Sequence, residues 1–100
     1  MIRAAFKEDL SGFTVSGHSG YAEAGSDIVC AAVSSMTFFV CNAIEAFGCK
    51  AEVRQDEKTA SVSLTLENHD ENGSKLIGVL YGELRELEDQ YPAFVRVQKI

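Results

Sequence analysis

Alternation of apolar and polar positions opens the chain. Ile2, Ala4 and Phe6 fall on one face and Arg3, Ala5 and Lys7 on the other, which predicts a half-buried strand over residues 2–7. Glu8-Asp9 and Ser11-Gly12 bracket a turn, and Phe13, Val15 and Gly17 resume the period of two, with His18 at the far end of this second strand. Ser19 to Gly25 is small and glycine-containing, the chemistry of a loop. Ser26 and Asp27 are good helix N-caps, and the apolar run that follows predicts a helix over residues 27–47, apolar on most sides and therefore buried, with Gly48 as its C-cap. Ala51 and Val53 alternate with Glu52 and Arg54, Asp56-Glu57-Lys58 turns the chain, and Ala60, Val62, Leu64 and Leu66 form the returning strand. After a polar loop at 69–73, Ile77, Leu80, Leu84, Leu87 and Tyr91 recur every three or four residues from Ser74 onward, the pattern of an amphipathic helix that Pro92 ends. Phe94 to Ile100 reads as a last strand. The order ββαββαβ predicts one α+β domain over residues 1–100. It has two layers, a mixed or antiparallel sheet against two helices, one of them long and buried.

Composition narrows the function classes. At 100 residues, 46% hydrophobic and 24% charged, the chain has the makeup of one ordinary globular domain. Fifteen acidic residues against nine basic give a net charge of −6, which disfavours direct nucleic-acid binding and favours a basic protein or peptide as partner. The first residues have neither the long apolar core nor the cleavage site of a signal peptide. The run Ile28 to Ile44 is broken by Ser34, Ser35, Thr37 and Asn42 and falls short of the roughly 20 residues of a membrane span. Three cysteines, Cys30, Cys41 and Cys49, without a C-x-x-C pair, point to reduced thiols in the cytoplasm rather than to disulfides or zinc. No cofactor is implied. A metal site from His18, Cys30 and His69 lacks ligand spacing.

The chemistry concentrates between Gly17 and Cys30. Cys30 falls in the first turn of the long helix, where unpaired N–H groups and the helix dipole favour a thiolate. A glycine-containing loop can bring His18 back onto that helix terminus, and a thiol beside an imidazole is the minimum for cysteine nucleophilic catalysis. Asp27, three residues before Cys30 on about the same helical face, caps the helix, orients His18, or does both. The first-turn amides, that of Cys30 included, are natural donors to an oxyanion. The blander readings are a buried structural thiol at Cys30, a surface histidine at His18 and a simple N-cap at Asp27. Cys41, three turns on along the Cys30 face, is assigned to the core. Gly78 and Gly82, four apart on the second helix, imply a close approach by a packed helix, a dimer partner or a peptide.

The block Gly17-His18 … Gly25-Ser26-Asp27-Ile28-Val29-Cys30-Ala31-Ala32-Val33-Ser34 resembles the signature of the ribosomal-processing cysteine protease family, Prp, and the resemblance covers essentially the whole chain. It implies a cysteine endopeptidase with Cys30 and His18 as its catalytic pair and with Asp27 and Ser34 lining the site. It implies a substrate too, a basic large-subunit ribosomal protein, the one numbered twenty-seven. That protein's N-terminal extension is cut after an aromatic residue in an Asn-Leu-Gln-x-Phe-like segment. Family members are small bacterial homodimers. The loop, here Ser19, Gly20, Tyr21, Glu23 and Gly25 among its residues, is where substrate closes the site, and Ala24 stands where a bulkier, often aromatic residue is usual. Two rivals come from other classes. One is a non-catalytic module that binds a ribosomal protein or assembly factor. The other is a thiol redox protein, disfavoured because Cys41 lies about 16 Å along the helix from Cys30.

Overall fold

In a computed structural model that describes residues 1–23 and 25–100, the elements follow the order read from the sequence; Ala24 lies outside the described residues. The strands are β1 (Ile2–Phe6), β2 (Gly12–Ser16), β3 (Ala51–Asp56), β4 (Ser61–Leu66) and β5 (Val95–Lys99), and the helices are α1 (Ile28–Ala46) and α2 (Glu71–Gln90). Among the described residues they form one five-stranded sheet in the order β3-β4-β2-β1-β5. It is mixed: β1 runs antiparallel to β2 and parallel to β5, and the β2–β4 and β3–β4 pairs are antiparallel.

Register explains why one face is covered. Ala4 sits opposite Val15 and Val97, Phe6 opposite Phe13, and Phe13 opposite Leu64, so the apolar set of each strand lands on the same side. Ile2, Phe6, Phe13, Leu64 and Val95 are buried there with Ile77, Leu80 and Leu84 of α2. Thr14 and Ser63 hydrogen-bond at 2.9 Å on the exposed opposite face.

Both ends of α1 are written locally. The Asp27 side chain accepts from the Val29 and Cys30 N–H groups at 3.0 and 2.9 Å. At the other end Gly48, at φ 75, donates to the Glu45 carbonyl at 2.9 Å, and Cys49 donates to Ile44 at 3.1 Å, a Schellman closure. α1 buries Val29, Val33, Thr37, Val40, Cys41 and Ile44, each aliphatic one contributing about 1.5–3 kcal/mol. Burial stops at that face: Ile28, Phe38, Phe39 and Phe47 are exposed, because in a two-layer fold the sheet and α2 cover only part of a helix's circumference. By length and composition α1 (mean hydropathy 1.7) is also long and apolar enough to cross a membrane, contrary to the run-length reading; in this fold it packs against the core.

α2 begins at Glu71, earlier than Ser74, because Asp70 caps the Gly73 N–H at 3.0 Å. Gly78 is approached by Leu10 of the β1–β2 turn, 3.1 Å from where a Cβ would stand, whereas nothing lies within 4 Å of that position at Gly82.

Candidate active site

β2 ends at Ser16, and Gly17 turns the chain out of the sheet at φ 91. A Cβ at Gly17 would lie 2.5 Å from the Met1 carbonyl oxygen, so this corner, which aims His18, needs glycine for both its conformation and its clearance. His18, expected at the far end of the strand, is exposed two residues beyond it, because Gly17 has already turned the chain away. Cys30 is half-buried in the first turn of α1. The two face common space: both line a cavity of about 170 Å³ and a larger cleft of about 570 Å³. Ser34, one turn after Cys30, lines both as well. The cleft also takes in Gly20, Gly25 and Asp27. Sequence positions 18, 27, 30 and 34 are thus brought together. His69 lies beyond β4 beside the α2 cap and lines neither cavity, while Cys41 and Cys49 are buried. Burial pushes the Cys41 thiol up, and burial together with neighbouring Asp70 does the same at Cys49.

Asp27 is the organising carboxylate. One oxygen accepts the Val29 and Cys30 amides and the other accepts the Ser19 hydroxyl. The Ser19 hydroxyl, followed by the Cys30 amide, holds the Asp27 carboxyl down at about 2. One expectation changes here and another narrows. The Val29 and Cys30 amides are engaged by the cap rather than free to meet an oxyanion. Asp27 caps the helix, and among the described residues no hydrogen bond joins it to His18, nor His18 to Cys30.

Sequence reading missed three further features. Ser19, placed in the loop, is 3% exposed, and its N–H donates to the Cys30 sulfur at 3.3 Å. Tyr21 sets its ring edge-on to Tyr91 at 5.5 Å and Phe94 at 5.3 Å, tying the loop to the α2–β5 corner. Thr37, 2% exposed, lines the small cavity with its hydroxyl lacking a partner among the described residues. Thr37 was readable in principle, since Cys30, Ser34 and Thr37 recur at helical spacing; Tyr21 stood out only as the one aromatic in a loop of small residues.

Comparison with known proteins bears on this site. The family described as cysteine protease Prp matches residues 1–96. The ribosomal processing cysteine protease Prp of Mycoplasma pneumoniae is 34% identical over 87 residues, covering 82% of this chain and 80% of that one. The crystal structure of an essential ribosomal processing protease Prp from S. aureus, with a covalently linked product peptide, matches at TM-score 0.90 with 21% identity, covering 100% of both chains. A Streptococcus mutans crystal structure matches at TM-score 0.84 with 28% identity, covering 100% of this chain and 94% of the other.

Proposed function

Since this chain belongs to the Prp family of cysteine proteases, we propose that Cys30 is its nucleophile, that His18 is its general base, and that its substrate is the N-terminal extension of large-subunit ribosomal protein twenty-seven. The observation that carries the reading is the shared space of Cys30 and His18 at the N-terminus of α1. A peptide in the cleft presents its carbonyl to the sulfur. His18 takes the thiol proton as the C–S bond forms, then gives that proton to the leaving amine as the C–N bond breaks. Water, deprotonated by the same imidazole, releases the acyl group and restores the thiol. The positive end of α1 favours the negative charge that develops beside its first turn. Asp27 keeps that turn in shape, and Ser34 lines the floor on which the substrate lies.

The relatives' names support a ribosomal protein as substrate: the S. aureus protein is a ribosomal processing protease solved with product and with substrate peptides. A chain of net charge −6 meets a basic extension with a favourable encounter rate. The reduced cysteines suit the cytoplasm. The apolar groove of about 430 Å³ between α1 and α2, with Phe39 and Val79 exposed on it, suits a second copy of the chain and supports reading the enzyme as a homodimer.

Intact-mass spectrometry of the protein mixed with the extended ribosomal protein tests the assignment. A single cut after the aromatic residue is expected, lost in both Cys30→Ala and His18→Ala. Cleavage that survives Cys30→Ala removes the cysteine mechanism, and an uncut extension beside active wild-type enzyme on an Asn-Leu-Gln-x-Phe peptide removes the substrate.

A further inference from the structure

A buried hydroxyl needs partners, and that of Ser19 has three. It donates to Asp27, accepts the Tyr21 N–H at 3.1 Å, and accepts the Cys30 thiol at 3.6 Å. A serine hydroxyl has one proton and two lone pairs, so the set is complete. The direction of each bond follows. An ionised Asp27 can only accept, so the single proton goes to it and both lone pairs are left for Tyr21 and the sulfur. The Ser19 amide grips the same sulfur from its own side.

Building on the assignment of Cys30 as nucleophile, we propose that Ser19 is the positioning residue of the Cys30 sulfur: its hydroxyl, turned by Asp27, accepts the thiol proton and holds the resting thiol beneath the loop until substrate displaces it. The hydroxyl presents a lone pair to the sulfur while the Ser19 amide presents its N–H, so the thiol is held from both sides by one residue. The thiol proton passes to His18 only once Ser19 withdraws. Asp27 and His18 are the titratable side chains besides Cys30 that line the two cavities, so these two set the charge around the sulfur. Tyr21 fastens the loop on Tyr91 and Phe94, and Gly20 and Gly25 stand at positive φ on either side. A peptide entering the cleft meets Gly20, the residue that follows Ser19, and Gly25 directly.

Iodoacetamide alkylation of the full chain, followed by mass spectrometry of the peptide that carries Cys30, tests this without any substrate. In Asp27→Asn the side-chain oxygen keeps the cap while its NH₂ donates to Ser19, which then turns its own proton to the sulfur. Alkylation near neutral pH should accelerate about threefold or more. Ser19→Thr keeps the hydroxyl and should retain the wild-type rate; Ser19→Ala removes it and should not. In the Ser19→Ala background, Asp27→Asn should accelerate by a clearly smaller factor, the part that the lost carboxylate charge supplies without the hydroxyl. Independent, multiplying effects overturn the proposal, because a merely structural loosening of the loop would give them. Should Ser19→Ala fail to fold, an unaccelerated Asp27→Asn overturns it alone. Failure here is distinct from failure of the nucleophile: Cys30→Ala abolishing cleavage while the two substitutions multiply removes only the role of Ser19.

Discussion

Asp27 spends one carboxylate oxygen on two amides and the other on a hydroxyl, and its acidity records that. With its carboxyl held at about 2 in the fold against an ordinary 3.8, the unfolded chain takes up the proton first. Its stabilising contribution is therefore complete above 3.8 and lost as pH falls from there towards 2. Removing the largest cause, the Ser19 hydroxyl, narrows that window from below. Thermal melts across pH 4 to 2 should show a shallower loss of Tm in Ser19→Ala than in wild type; parallel slopes would mean that the Ser19–Asp27 bond does not form in solution. The difference between what could and could not be read beforehand is physical. Asp27 and Cys30 meet within one helical turn, so their relation follows from spacing alone. Ser19 with Asp27, and Tyr21 with Tyr91, meet through a loop path or across the fold, and no period in the chain encodes such pairs.

Helix ends were the legible part of the elements. Asp27 and Gly48 terminate α1 through short-range hydrogen bonds that their residue types announce. α2 starts a turn before its apolar period for the same kind of reason, at the Asp70 cap, which that period does not signal. How much of α1 is covered was not legible. An apolar row reads alike whether it faces a sheet, a second copy or solvent, and Phe39 faces outward. The two α2 glycines separate in the same way. Gly82 has open space where a Cβ would go and Gly78 has Leu10 against it. Gly82→Ala should raise stability by about 0.5–1 kcal/mol through helix propensity, read as a higher urea midpoint at unchanged slope. Gly78→Ala should return less of that gain, since Leu10 must give way.

The open flank formed by α1 and α2 bears on assembly. Phe39 and Val79, 73% and 62% exposed, are large side chains to leave in water on neighbouring helices. Phe39→Glu should weaken self-association about tenfold or more while leaving the melting temperature of the isolated protomer nearly unchanged. Sedimentation equilibrium measures it, and a wild-type chain that stays monomeric across the concentration range rules out a second copy as the occupant.

The sheet holds one more consequence, for the order in which the protein can come into being. β1, made first, is an inner strand, and its outer partner is β5, made last: Ile2 pairs with Val95, nearly the full chain away. During synthesis every other strand can find its neighbour while β1 still shows an unpaired edge with Ile2, Ala4 and Phe6 along it, the kind of edge that recruits foreign strands. The closing parallel ladder is also the slowest kind of contact to reach, because its loop-closure entropy spans the chain. Nascent or C-terminally clipped molecules should therefore be the aggregation-prone ones, and the β1 edge is covered only once the last strand has docked.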